Sequence, residues 1–264
     1  MNYKDKKKSA FGKSSAGSTT IDQAEISRFN RLAEEWWKPK GAFKVVHAFN
    51  AARIEKLSNS FLTMMGRDNS FNELLTGLTL LDVGCGAGIV SEPMSRLGAK
   101  VTAIDASERN ILMAKQHADQ SGVDINYQNL LPEEIASAGQ TFDIVMSLEV
   151  IEHVANPNLF LKILATLVKP GGVLVIGTIN RTVISFIKAI IGAEYIMGWL
   201  PKGTHDWRKF IRPDELDQIL VPAGFNVKSC CGVDFNPFQQ KWRITKSPNS
   251  IYLRFFERSA TPDE

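Results

Sequence analysis

Cysteine is scarce in this chain. Its 264 residues hold three, Cys85, Cys230 and Cys231. One sits in a glycine turn and two are adjacent, so no disulfide framework can be drawn, and a reducing compartment is implied. An excess of one charge is also missing. The formal net charge is +3, and residues 1–20 carry five lysines against one aspartate, which leaves the remainder at −1. A near-neutral body gives no argument for a nucleic-acid partner. No apolar core opens the chain. Met1 to Thr20 is rich in Lys, Ser and Gly and reads as a disordered tail, neither a signal peptide nor an Arg-bearing transit sequence. The expected location is cytoplasmic. No internal repeat is present, which excludes solenoids and propellers.

What is present suits a globular protein, with 44% hydrophobic and 22% charged residues. The length allows one substantial domain over residues 21–264. Asp22 to Trp37 has helical apolar spacing at Ile26, Phe29, Leu32, Ala33 and Trp36, and Pro39 and Gly41 break it. A second helix is predicted over about 51–65. Strands are then predicted at 79–83, 100–104, 125–128, 142–147 and 173–178, with helices at 89–97, 107–121 and 156–168. That alternation predicts an α/β fold, a mostly parallel sheet covered by helices on both faces. A sixth helix starts at Pro213 and Gly224 marks its end. Two late strands, near 226–231 and 251–256, have no helix between them and predict an antiparallel edge on a seven-stranded sheet.

The most informative stretch is Leu80-Leu81-Asp82-Val83-Gly84-Cys85-Gly86-Ala87-Gly88. A short apolar strand runs into a tight glycine turn and then a helix-compatible segment. Glycine admits positive φ and lets a ligand approach bare backbone. A dinucleotide fingerprint would need a third glycine at position 89, which is Ile89; the extra glycine, Gly88, comes one position early. The next predicted strand ends in Asp105, about 20 residues past the glycines, where a carboxylate accepts both hydroxyls of a ribose. Asp82 to Gly88 together with Asp105 resembles the class I S-adenosylmethionine (SAM) methyltransferases. SAM has a ribose and an adenine but no phosphate, so the missing glycine agrees with it. The fold implied is Rossmann-like, with an N-terminal helical extension.

The fourth predicted strand runs into Leu148-Glu149-Val150-Ile151-Glu152-His153, at the same sheet edge as the glycine turn. Glu149, Glu152 and His153 share a face if the segment is one helical turn. Two carboxylates and an imidazole suit Mg²⁺, Mn²⁺ or Zn²⁺, which would lower the pKa of a chelated catechol. Equally, His153 suits a catalytic general base without metal. A helix cap and a packed histidine are the bland alternative. An (Asn/Asp)-Pro-Pro-(Tyr/Phe) motif, shared by methyltransferases of exocyclic amines, is absent after this strand, where Ser147 to Val150 stand. A hydroxyl acceptor is therefore expected rather than a nitrogen.

Further segments narrow the resemblance. They are Glu35-Trp36-Trp37, Gly41-x-Phe43-Lys44-x-x-His47-x-x-Asn50-x-x-Arg53, Glu149-x-x-Glu152-His153, Leu167 to Gly172, Asn180-Arg181, Gly192-Ala193-Glu194-Tyr195-Ile196 and Pro201 to Trp207. Together they resemble the ubiquinone biosynthesis O-methyltransferases, from about Ile21 to about Arg258. The chain departs from that pattern at Val45 and Ala51, where the family usually has proline. The resemblance implies methylation of a hydroxyl of a polyprenyl catechol (2-polyprenyl-6-hydroxyphenol) and later of 3-demethylubiquinol. It implies that Arg53 grips the methionine carboxylate of SAM. Gly84 and Gly86 would offer backbone, Asp105 the ribose contact, and Leu148 main chain near the sulfonium, with Leu130 and Leu131 at the adenine edge. It places Mg²⁺ ligands on Glu149, Glu152 and His153.

An apolar insertion, Thr182 to Leu200, lies between the fifth strand and the sixth helix. Lys188, Glu194 and two glycines interrupt it, so as a membrane span it is borderline. It is expected to cover the substrate and touch the inner face of the membrane, with core packing and a dimer contact as alternatives. A quinone-biosynthesis enzyme complex is a further expected partner. A small-phenol O-methyltransferase and a non-catalytic SAM-binding scaffold of such a complex are the competing functions.

Overall fold

The computed structural model describes residues 19–33, 36, 37, 44–67, 74–186, 206–236, 239 and 241–260. Residues 1–18 of the expected tail and 187–200 of the insertion lie outside them. Thr20, read from sequence as part of the tail, is buried instead. Its amide and hydroxyl both donate to Glu133 Oε1, at 2.9 and 2.7 Å.

Helix α1 is Gln23–Leu32, opened by Asp22, whose carboxylate accepts from the amides of Ala24 and Glu25. It is shorter than the apolar spacing to Trp37 predicts. Helix α2, Lys44–Met64, starts earlier than predicted. Then follow β1 (Thr79–Val83), α3 (Ser91–Arg96), β2 (Lys100–Ile104), α4 (Glu108–Ser121), β3 (Asn126–Gln128), α5 (Pro132–Ser137) and β4 (Phe142–Leu148). After a single 3₁₀ turn at Ile151–His153 come α6 (Pro157–Leu167), β5 (Val168–Ile179), α7 (Val183–Ser185), α8 (Pro213–Leu220), β6 (Phe225–Asn236), β7 (Lys241–Thr245) and β8 (Ile251–Arg258). Helix α4 is capped at both ends, by the Ser107 hydroxyl and by Gly122 in the left-handed region.

The sheet order is β3-β2-β1-β4-β5-β8-β6-β7. Strands β3 to β5 are parallel in that order, while β8 runs antiparallel to β5 and β6. The predicted antiparallel edge is therefore present. Among the described residues the sheet has eight strands rather than seven. The extra one, β7, hairpins onto β6. Its sequence, Lys241-Trp-Arg-Ile-Thr, alternates polar and apolar residues over only five positions, too short to stand out without its partner. Strand β5 also reaches back through Pro170-Gly171-Gly172, read from sequence as a turn, with a register shift against β4.

Alternate residues of the central strands feed two cores. Leu80, Ile144, Met146, Val173, Val175, Leu253 and Phe255 pack under α2, α3 and α4. Leu81, Val145, Leu174, Ile176, Tyr252 and Phe256 pack under α6 and α8. Strands covered on both faces carry near-continuous apolar runs, as in Ile144–Met146 of β4 and Val173–Ile176 of β5. The carboxyl ends of β1, β2, β4 and β5 meet at one edge, where the strand order reverses between β1 and β4. A crevice at that edge is where an open α/β sheet takes its ligand.

Candidate active site

The turn after β1 is held by β2. The amides of Gly84 and Cys85 both donate to the Ile104 carbonyl, at 2.8 and 3.0 Å. Gly84 and Gly86 have φ of 76° and 55°. A Cβ on Gly84 would come within 2.3 Å of Val150 Cγ2, so strain and space both demand glycine there. The helix behind the turn is only six residues and starts at Ser91 rather than Ile89. The sequence resemblance puts backbone of Gly84 and Gly86 here, and the structure gives both amides a partner within the chain, Gly84 on Ile104 as above. The Gly86 amide donates to Asp105 Oδ2 at 2.9 Å.

Asp105 is the hub of this end of the site. Its Oδ1 accepts from the Ser107 amide at 2.7 Å and from Asn110 Nδ2 at 3.3 Å. Burial raises its pKa, and those hydrogen bonds pull it back. Asn129 donates to the Asp105 carbonyl, which ties the loop leading to Leu130 and Leu131 to the same corner. Cys85 sits inside the turn. Burial first, then Asp105 and Asp82, push its thiol well above the usual range.

Arg53 reaches the site from α2 and is 4% exposed. Its guanidinium lies over the Phe49 ring at 3.9 Å, bonds Asn50 Oδ1, and donates to Glu149 Oε1 at 3.1 Å. Asn50 and Phe49 are site residues that sequence reasoning did not single out, although Asn50 stands one helical turn before Arg53 in the quoted spacing. Glu149 is the one non-glycine described residue with positive φ, at 59°. Such a conformation costs on the order of 1–3 kcal/mol. It turns the chain sharply at the end of β4, with the Glu149 amide bonded to the Gly177 carbonyl. Burial, then Glu152, push the Glu149 carboxyl up, against the pull of Arg53. Its side chain keeps 26% of its surface open.

The three candidate ligands each have a different partner. Glu149 takes Arg53. Glu152 Oε2 accepts from the Thr178 hydroxyl at 2.9 Å, and its Oε1 is buried without a partner. His153 donates Nδ1–H to Glu25 Oε2 at 3.1 Å and meets the edge of Phe29 of α1 at 5.2 Å. The helical turn that would put all three on one face is instead a strained residue followed by a 3₁₀ turn. Among the described residues no three His, Cys, Asp or Glu side chains form a group able to hold an ion. The carboxylate pair alone fits a cation, because Glu152 Oε1 lacks a donor and the two acids repel. Glu25 and Thr178 had no signal in the sequence, since both lie far along the chain from the motif they support.

Asp82 lies under the turn, 3% exposed, and accepts from the Ser91 hydroxyl at 2.6 Å. Burial, opposed by that bond, pushes its carboxyl up to about 7. The folded protein therefore holds a proton that the unfolded chain releases near 3.8, and stability falls as pH rises from about 4 to about 7. Asp82→Asn keeps the acceptor for Ser91 and removes the charge. Thermal melts are expected to match wild type at pH 4 and to show the variant stabilised, by up to about 4 kcal/mol, above pH 7. Parallel curves at both pH values would show that Asp82 does not titrate in this way.

A family model described as a methyltransferase domain matches residues 51–230, which span the turn, Asp105 and the Glu149–His153 segment. A ubiquinone biosynthesis O-methyltransferase of Cereibacter sphaeroides is 47% identical over 234 residues, 89% of this chain and 95% of its own. Its namesake from Rhizobium leguminosarum is 44% identical over 245 residues, covering 93% and 97%. The chain belongs to the ubiquinone biosynthesis O-methyltransferase family. In fold it is similar to magnesium protoporphyrin IX methyltransferase from Synechocystis with bound SAH, with a TM-score of 0.60 at 20% identity over 88% and 94% of the two chains. The enzyme is a SAM-dependent O-methyltransferase with the class I fold, and SAM is its methyl donor.

Proposed function

We propose that the enzyme transfers the methyl group of SAM to a hydroxyl of a prenylated catechol and to that of a demethylated ubiquinol. The observation that carries this reading is the pairing of a SAM turn with an acid–acid–imidazole segment at one sheet edge, in a chain whose relatives bear that pathway's name. Asp105 takes the ribose hydroxyls and Arg53 the methionine carboxylate. Gly84 and Gly86 lend backbone to the methionine and ribose. The Leu148 main chain lies near the sulfonium, and Leu130 and Leu131 flank the adenine. SAM is already an electrophile, so the protein must align the acceptor oxygen and remove its proton.

His153 is the candidate base. Glu25 fixes its Nδ1–H, which leaves Nε2 to accept the hydroxyl proton, and the imidazolium that forms stays paired with the carboxylate. Of the three ligands expected from the sequence, Glu149 and Glu152 are the pair that would hold Mg²⁺, while His153, turned to Glu25, would not join them. Such a cation would lower the pKa of a chelating catechol. Charge is neutralised as the methyl moves, so a dry pocket favours the step. Methyl transfer from labelled SAM to a short-prenyl catechol tests this reading. Turnover is expected. EDTA inhibition reversed by Mg²⁺ would assign the acids as ligands, and indifference to EDTA would leave His153 as base. Bound SAM without transfer to any catechol would favour the scaffold function, and equal turnover of unprenylated phenols would favour a small-phenol enzyme.

The start of the insertion supports contact with an apolar substrate or a membrane surface. Val183, Ile184 and Phe186 are exposed, although Thr182 caps their short helix and Ser185 is buried. Among the described residues no helix is long and apolar enough to cross a membrane. Flotation with anionic liposomes is expected to carry the wild-type protein upward and to leave a Val183→Ser/Ile184→Ser/Phe186→Ser variant behind. Equal distribution of the two would rule the surface out.

A further inference from the structure

Trp36 and Trp37 have no part in the roles assigned so far, yet they touch the SAM turn twice. The Trp36 ring stands 3.3 Å from where a Cβ on Gly86 would lie. Trp37 donates its indole N–H to the Ala87 carbonyl at 2.9 Å. The pair is fastened from three further elements. His47 of α2 donates Nε2–H to the Trp36 carbonyl at 2.8 Å. Trp37 stacks on His117 of α4, with ring centroids 3.4 Å apart and planes 4° apart. His117 Nδ1 is in turn held by Glu92 of α3 at 2.5 Å and by the Ser121 hydroxyl at 3.2 Å. All these anchors surround the rim of one glycine turn.

An indole so placed has a chemical use. Its face is apolar and attracts cations through the ring quadrupole, and SAM carries a full positive charge on sulfur. Water near that sulfur would stabilise the charged ground state more than the neutralised transition state. We propose that Trp36 is a cosubstrate-binding residue, its ring covering the glycine turn and excluding water from bound SAM, with Trp37 and its anchors as the fastening that positions it. This rests on SAM lying against the turn at Gly84–Gly86. A ligand beneath the ring leaves only when the pair lifts, so the cover slows release of the demethylated product, SAH.

The test is the dissociation rate of radiolabelled SAH from the full chain, chased with unlabelled SAH. Trp36→Ala is expected to release SAH at least tenfold faster than wild type. Trp36→Phe, which keeps an apolar ring, is expected to stay within threefold. Asp105→Ala serves as the control for the site itself. If Asp105→Ala releases SAH fast and Trp36→Ala stays within twofold of wild type, the cover is overturned and the site stands. If neither variant changes release, SAM does not lie at this turn and both readings fall. Should Trp36→Ala not fold, hydrogen exchange on the wild-type protein decides. Slowing by SAH of the amides in the peptide bearing Trp36 and Trp37 supports the cover, and unchanged exchange there overturns it.

Discussion

Asp105→Ala is expected to weaken SAH binding by about a hundredfold or more. Hydrogen bonds to a charged group are worth about 1.5–3 kcal/mol each, and a ribose offers two hydroxyls to one carboxylate. The lower end of that pair already corresponds to roughly a hundredfold in Kd. Asp105 is aimed by the Gly86 amide on one oxygen and by Ser107 and Asn110 on the other, all donors. Asp105→Asn should do little better than alanine, because its amide group would face an N–H donor whichever way it turns. Calorimetric titration with SAH measures the loss, and a thermal melt without ligand separates it from unfolding. A loss below threefold for Asp105→Ala, in a folded variant, would mean that the ribose is held elsewhere.

This end of the site was readable before any coordinates because each part is local. The apolar run of β1, the glycines that must take positive φ, and the acid at the end of β2 lie within about 25 residues, at spacings set by the strand–turn–helix unit. The parallel core was readable for the same reason, since strands buried on both faces leave continuous apolar runs. The misses are non-local. Strand β7 exists because β6 is there to pair with it, and no five-residue window shows that. Helix α5 escaped because Pro132–Ser137 is too short to show a helical period, although Pro132 and Glu134 mark its start.

The acid–acid–imidazole segment shows the limit most clearly. Its residues were found, but the shared helical face predicted for them is not formed. Register with β5 ends β4 at Leu148, and the chain turns through a left-handed Glu149 instead of starting a helix. Each side chain then meets a partner from a distant element: Arg53 of α2, Thr178 of β5, Glu25 of α1. Spacing along the chain carries no information about those partners. Chemical type does, in part. A buried arginine needs acceptors, and two adjacent acids need a cation or a donor.

Arg53→Ala is expected to cost about 3 kcal/mol of stability, because removing the buried guanidinium strands the half-buried carboxylate of Glu149. Burial lowers the pKa of Arg53, and Glu149, Asp82 and Glu152 oppose that by favouring its charged form. For a chain of this size the loss corresponds to a fall of about 10 °C in Tm. Glu149→Gln alone should be nearly neutral. It keeps an acceptor for Arg53 and relieves the repulsion from Glu152. In the double variant no carboxylate is stranded at position 149, so its loss should be smaller than that of Arg53→Ala by about 2 kcal/mol. Additivity within about 0.5 kcal/mol would show that the two side chains do not depend on one another. The same guanidinium is assigned to the methionine carboxylate, so Glu149 and SAM compete for it. Glu149→Gln should therefore bind SAH a few times more tightly while turning over the catechol more slowly. Tighter binding together with slower turnover is a combination that a purely structural role for Glu149 does not produce.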